Sequence, residues 1–426
     1  MKRLTLAAIL LSFGLQAQVN QSISKERQAE LAKRAPDVVQ TAIGKVSLPP
    51  PYATKPTAKG SKITDWPAGE KPKAPAGFKV ETFADDLQHP RWTYIGENGD
   101  IFVVETNDRR KSANQITLLR DTNGDSKPDE RHVFLKDLNQ PFGMLILDGY
   151  FYVANVDEVI RFPYQKGANS ISAKGEHVAD LPAGGYNHHW TRNLLAGKDG
   201  KKIYVTVGSS SNIGEYGMDK EERRANILEM NPDGSGEKVY AAGLRNPVGI
   251  DWNPITGELW TAVNERDNIG DNLVPDYVTS VQEGGWYGWP YSYYGSIEDP
   301  RWADDPHTEM VQKALVPDVP VGAHTASLGL AFYTEKAFPA KYHNGAFVGQ
   351  HGSWNRANFA GYKILFIPFD MNGKPQQPED FLTGFIASDD ASQVYGRPVG
   401  VTVMPDGSLL VNDDDGNKIW RVSAEK

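Results

Sequence analysis

The chain has 426 residues, with 41 Gly, 28 Pro and no Cys, and 45 Lys+Arg against 54 Asp+Glu give a formal charge of −9. The missing thiols exclude disulfide scaffolds, Cys-ligated zinc, iron–sulfur clusters, thiol catalysis and c-type haem. The acidic balance argues against a nucleic-acid groove or an anionic-membrane surface.

In chain order, Lys2 and Arg3 precede an apolar run from Leu4 to Leu15 and small residues ending at Ala17. This is the pattern of a secretory signal peptide over residues 1–17, whose removal takes the charge to −11. The run is too short to cross ~30 Å of hydrocarbon as a helix. The address expected is periplasmic or secreted, with no membrane span.

Residues 18–75 are polar and Pro-rich. A short helix is expected within Ser22 to Arg34, but Pro49-Pro50-Pro51 and the Lys/Pro-rich stretch that follows suit an irregular N-terminal arm or linker without a core of its own. From Ala76 to the end the texture is short β-rich runs, such as Phe102 to Glu105, Tyr204 to Val207 and Leu409 to Asn412, punctuated by turn residues.

A unit recurs in this region, consisting of a polar loop, an apolar strand, a turn and a second strand. Its turn glycines are Gly99, Gly149, Gly200, Gly257, Gly345 and Gly407, spaced by 50, 51, 57, 88 and 62 residues. The loops before each first strand also match one another: His89-Pro-Arg-Trp92, Gln140-Pro-Phe-Gly143, His189-Trp-Thr-Arg192, Asn246-Pro-Val-Gly249, Ala326-Ser-Leu-Gly329 and Arg397-Pro-Val-Gly400. The expected fold is all-β: a six-bladed β-propeller over 76–426, each blade a four-stranded sheet, with a large insertion between the fourth and fifth units. Equivalent positions then ring one end of a channel. His89, Gln140, His189, Asn246, Ala326 and Arg397, with Arg245 beside them, make a mouth suited to an anionic, hydrogen-bonding ligand.

His189 is the imidazole the repeat directs into the channel, and His188 is the second choice. A histidine there either accepts a hydroxyl proton near neutral pH or is satisfied by backbone carbonyls. Arg245, Arg356 and Arg397 suit bidentate pairing with ligand carboxylates, inter-blade ion pairs being the alternative. Asn264 to Asn272 gathers hard oxygen donors of the kind Ca²⁺ prefers, and the aromatics of residues 283–290 suit either a planar ligand or the core. Asp121, Asn123, Asp125 and Asp129 partly match a calcium loop, but Ser126 and His132 break the pattern, and a solvated Asn-Gly turn reads equally well.

Taken together, GLRNPVG (243–249), NERDNIGD (264–271), EGGWYGWP (283–290), HGSWNR (351–356) and GRPVGV (396–401) resemble the sorbosone-dehydrogenase-like branch of the soluble PQQ-dependent sugar dehydrogenases. The resemblance implies the cofactors PQQ, a planar tricarboxylate quinone, and Ca²⁺, and oxidation of an aldose or sugar aldehyde by hydride transfer to the quinone. The electron acceptor stays unidentified. It further implies His189 as general base, Arg245 near the reacting quinone oxygen, and Gln140, Arg245, Asn246, Arg356 and Arg397 as cofactor-binding residues. The calcium would be held by the main-chain carbonyls of Arg266 and Asp267, with Asp271. Arg266-Asp267 departs from the family's Gly-Pro at that turn. The alternatives are a calcium-dependent propeller hydrolase of the lactonase type and a non-catalytic glycan- or envelope-binding propeller.

Overall fold

The computed structural model describes residues 23–107 and 111–425, so the expected signal peptide lies outside the described residues. Six four-stranded antiparallel sheets carry the chain, with first strands at Pro90–Ile95, Met144–Leu147, Leu194–Ala196, Pro247–Trp252, Ala331–Phe332 and Pro398–Val403. The sixth sheet takes its fourth strand, Phe78–Ala84, from the beginning of the β region, paired with Lys418–Ala424.

Each sheet packs on the next, and the sixth returns to the first. Phe102 and Phe134 meet Phe151 and Phe162, Tyr152 meets Val205 and Leu228, and Tyr204 and Ile227 meet Ile250 and Tyr277. Trp260 meets Val348, Phe347 meets Val411 and Trp420, and Leu410 and Ile419 close on Ile101 and Val103. The result is a propeller-like ring. Second strands such as Ile101–Glu105, Ile203–Val207 and Leu409–Asp413 are buried at every residue. A strand covered on both faces needs apolar side chains in succession rather than in alternation, which is why these runs stand out in the sequence.

The glycine ending the repeated loop has a packing cause. A Cβ at Gly143 would lie 2.5 Å from Leu194 N, at Gly249 2.5 Å from Leu330 N, at Gly329 2.2 Å from Val399 O, and at Gly400 2.8 Å from Arg91 O. In each case an obstacle belongs to the next unit around the ring, joined at Gly400 by Asn412 Oδ1 of its own sheet (2.7 Å), so the motif marks a close approach of inner strands. Five of the six turn glycines have positive φ. Gly345 does not: Asn344 takes the left-handed position at φ 59, and Gly345 is small because a Cβ would meet the Phe366 ring at 2.3 Å.

The insertion lies between the fourth and fifth units, as expected, and it does so inside the fourth sheet, between its third strand Pro275–Val281 and its fourth Val319–Ala323. It holds the hairpin Ser292–Tyr293/Ile297–Glu298, the 3-10 turn Pro300–Trp302 and the helix Thr308–Lys313. The arm does pack. Its helix is Lys25–Leu31, capped by Ser24, and Val39 and Leu48 of its hairpin join the core around Tyr277 and Leu273. Further on it runs beside the 264–272 loop, where Tyr52 N donates to Ile269 O (2.6 Å). Among the described residues, no helix is long and apolar enough to cross a membrane.

Candidate functional site

A cavity of about 440 Å³ opens where the first-strand loops converge, and His89, His189, Asn246, Ala326 and Arg397 of the predicted ring line it. Gln140 does not reach it; its amide donates to Asn107 O (3.4 Å), and Asn107 stands in the lining instead. Of the remaining predicted residues, His188 and Asp267 line it, while Arg245, Arg266, Asp271 and Arg356 do not.

His189 is buried, and its tautomer follows from its neighbours. Nδ1 lies 2.9 Å from Ser209 O, a group that only accepts, so Nδ1 carries the proton and Nε2 holds a lone pair. Nε2 is buried and has no hydrogen-bond partner among the described residues. Burial, then the charge of Arg245, holds this imidazole well below its usual 6.5, so it is neutral at physiological pH. Its position is fixed from two sides. The buried Arg192 guanidinium donates to His189 O (2.8 Å), and Ser209 N donates to Arg245 O (2.8 Å). Asn246 Oδ1 and Arg91 Nε, also on lining residues, are likewise buried without partners.

Arg245 lies beneath the cavity, fully buried, and its charge is already engaged. It pairs with Asp267 Oδ2 (3.0 Å) and donates to Glu265 O (2.8 Å) and Asn212 Oδ1 (2.9 Å). Asp267 also faces His324 Nδ1 (3.2 Å), whose Nε2 meets Gly270 O at 2.8 Å. With an acceptor at each ring nitrogen, His324 is held as an imidazolium; burial works against this, and the Asp267 carboxylate outweighs it. On the opposite wall Asp414 accepts from Arg91 Nη1 and from His351 Nε2 (2.9 Å). Burial opposes its charge, but His351 and Arg91 keep the carboxyl ionised. Arg397 donates to His351 O (3.0 Å) and Gly352 O (3.1 Å). Arg356 turns away, half-buried, towards Ala323 O (3.4 Å), while Trp354 of the same motif lines the mouth at 44% exposure.

Two of the three calcium donors predicted from the sequence, the Asp267 carbonyl and the Asp271 carboxylate, are engaged elsewhere. Asp267 O accepts from Arg301 Nη1 (2.7 Å) and Asn212 Nδ2 (3.1 Å). Asp271 spends one carboxylate oxygen on Thr57 N (3.0 Å) and the other on Ala357 N (2.7 Å), tying the arm to the 351–356 loop. The Arg266 side chain is locked between Glu265 (2.8 Å) and Asp299 (3.1 Å). In the second loop, Asp121 accepts from the backbone of Asn123, Gly124 and Ser126, Asp125 from Lys127 N, and Asp129 from Thr122 and Asn123. Among the described residues no group of acidic and histidine side chains is arranged to hold a metal. These residues do not fit a calcium cage. The aromatics of 283–290 belong to the interior: Trp289 is buried, with Nε1 on Asn212 O (2.9 Å).

For a flat, anionic ligand the cavity offers two guanidiniums, Arg91 and Arg397, each shared with a lining carboxylate (Asp414 and Asp415), the aromatic side chains of Trp190 and Trp354, and the unpartnered buried atoms of His189, Asn246 and Arg91.

Sequence reasoning missed Arg91, Asn107, His324, His351 and Asp414, and read Asn264 only as part of a calcium-type loop. Asn107, Asn264, His351 and Asp414 share a signal, for each follows the second strand of its sheet, six to eight residues after the turn glycine or its equivalent. They form a second ring beside the one the loops supply.

The family described as a domain of unknown function (DUF7133) matches residues 68–414. A Borreliella burgdorferi protein described as uncharacterized is 30% identical over 365 residues, covering 83% of this chain and 91% of its own. A pyrroloquinoline quinone-dependent sugar dehydrogenase of Hypocrea jecorina is 22% identical over 398 residues, covering 82% and 88%. Among solved structures, a Trichoderma reesei enzyme of carbohydrate-active family AA12 superposes with a TM-score of 0.70 at 20% identity, over 85% of this chain and 99% of that one. The holo PQQ domain of Coprinopsis cinerea pyranose dehydrogenase gives 0.68 at 19%, over 86% and 100%.

Proposed function

Because the chain belongs to the DUF7133 family and is kin to the soluble PQQ-dependent sugar dehydrogenases, we propose that it is a PQQ-dependent dehydrogenase of an aldose or sugar aldehyde, sorbosone-like. We read its six sheets as six blades around a channel, residues 18–75 as an arm wrapped on them, and residues 1–17 as an export signal to the periplasm.

The observation that carries this reading is the buried, unpartnered Nε2 of His189, with Nδ1 tied to Ser209 O. An uncharged ring nitrogen with an unused lone pair, on a residue that lines a polar cavity, suits taking the proton of a sugar hydroxyl or aldehyde hydrate as its carbon loses hydride. Bound PQQ supplies the two-electron acceptor. The protein's part is to position and polarise. Arg91 and Arg397, shared with Asp414 and Asp415, would hold ligand carboxylates, Asn246 Oδ1 would accept from a hydroxyl or N–H, and Trp190 and Trp354 would supply aromatic contact. Arg245 fixes the Asp267 carboxylate and lowers the basicity of His189 by its charge, so that the base is present unprotonated. No step is routed through calcium, since two of its three predicted donors, the Asp267 carbonyl and the Asp271 carboxylate, are engaged.

The test is reconstitution of the purified apoprotein with PQQ, followed by dye reduction across a panel of aldoses and sugar aldehydes. Sugar-dependent reduction that needs PQQ is the expected result; no reduction together with no PQQ binding would sink the reading. Mass spectrometry of the exported protein should find Gln18 at its N-terminus.

A further inference from the structure

The turn that the resemblance assigns to calcium is clamped by side chains along its main chain. Asn212 grips the Asp267 main chain at both ends, its Oδ1 accepting from Asp267 N (2.9 Å) and its Nδ2 donating to Asp267 O (3.1 Å). The second lone pair of that carbonyl takes Arg301 Nη1 at 2.7 Å. Arg301 is not free to swing away. Its Nη2 and Nε bind the two oxygens of Asp299 at 2.7 and 2.9 Å, and Asp299 is in turn held by Arg266 Nη1 (3.1 Å). All three side chains are buried. A calcium ion bonds its oxygens at about 2.3–2.6 Å, so at Asp267 O it would sit within roughly 5 Å of a guanidinium in a water-poor interior, where like charges repel most strongly. Of the other two expected ligands, Asp271 has both oxygens occupied by backbone N–H groups, which leaves the Arg266 carbonyl, a single oxygen where calcium takes about 6–8.

We propose that this cavity binds its quinone without a divalent cation, the fixed guanidinium of Arg301 standing at the Asp267 turn in the ion's place. The inference rests on the PQQ reading above. Arg301 comes from the insertion within the fourth sheet, so the substitution of a side chain for a metal is a property of that added segment. A charge locked by covalent attachment and two carboxylate bonds needs no supply of free ion, and cofactor loading becomes independent of calcium.

The experiment is a PQQ titration of the apoprotein, read by quenching of tryptophan fluorescence and by PQQ absorbance, in EGTA and in millimolar Ca²⁺. Calorimetric titration of Ca²⁺ alone runs in parallel. The expected result is PQQ binding in both arms, with dissociation constants agreeing within about tenfold, and no heat of calcium binding. Binding that appears only with Ca²⁺, or strengthens more than tenfold, overturns the inference while leaving the PQQ reading intact. Absence of PQQ binding in both arms overturns the PQQ reading and this inference together.

Discussion

His189 and Asp299 show how burial is used in two ways. For His189, burial and Arg245 hold the imidazole well below its usual 6.5, so the proton-accepting form persists through the neutral range. The acid limb of the rate–pH profile is therefore expected below pH 6.5, measured as kcat/KM with the reconstituted enzyme. His189→Gln keeps a polar side chain but removes the base; kcat should fall about 10²-fold or more, while PQQ binding by fluorescence quenching remains. A variant of undiminished kcat would remove His189 from the chemistry. Asp299 is the opposite case. Burial alone would raise its carboxyl, yet Arg301 and Arg266 depress it to about 2 from 3.8. The folded state thus binds the proton less readily than the unfolded chain. The stabilisation, about 2 kcal/mol, is complete above roughly pH 4 and is lost as the pH falls towards 2. Asp299→Asn should flatten the acid limb of denaturant stability over that window. At neutral pH it should cost about 3–5 kcal/mol, because two buried guanidiniums lose their shared partner.

The elements that present the site were legible to different degrees. The first-strand loops repeat in sequence because every inner strand meets the same neighbour in the same way, and that repetition led to His189, Asn246 and Arg397. Gln140 failed the extrapolation because its amide ends on Asn107 O; its left-handed backbone (φ 46) is not the cause, since His89 and Ala326 share that conformation and line the cavity. The ring after the second strands was harder to see: its members are of different residue types and share only an offset. Arg245 was found but misplaced, since the partners that hold it beneath the cavity, Asn212 and Asp267, lie on separate loops. Gly208, at the end of Ile203–Val207, had no signal at all, yet it makes the site geometrically possible. A Cβ there would stand 2.3 Å from Asn246 Oδ1 and 2.5 Å from His189 Cβ. Gly208→Ala should force the two apart at about 1–3 kcal/mol of stability. Activity should fall further than that loss of stability explains, since misplacing a proton acceptor by an ångström costs about 10²-fold. Thermal unfolding and kcat measured on the same preparation separate the two effects.

For the whole molecule, the site exists only while the ring is closed, because its walls come from sheets far apart in sequence. Arg91 and Asp414 meet across the junction of the first and sixth sheets. Besides the packing of Leu410 and Ile419 on Ile101 and Val103, the ring is closed by a pairing of segments distant in sequence, Phe78–Ala84 with Lys418–Ala424, in which Val80 faces Val422 and Lys79 faces Ser423. Val80 and Val422 supply buried apolar surface, whereas Lys79 is exposed and Ser423 half-buried. Directly opposed residues of an antiparallel pair lie about 4.5–5.5 Å apart at Cα, within the range a disulfide spans. The chain has no cysteine, so Lys79→Cys with Ser423→Cys permits a single crosslink, one that encloses nearly the whole ring. It should form under mild oxidation, raise stability by about 2–4 kcal/mol, and lose that gain on addition of reductant. The dye-reduction rate of the reconstituted protein should be unchanged, since neither position touches the cavity. Failure to crosslink, or a crosslink that destabilises the protein, would show that the two ends do not close the ring in this register. The meeting of Arg91 with Asp414 would then lose its support as well.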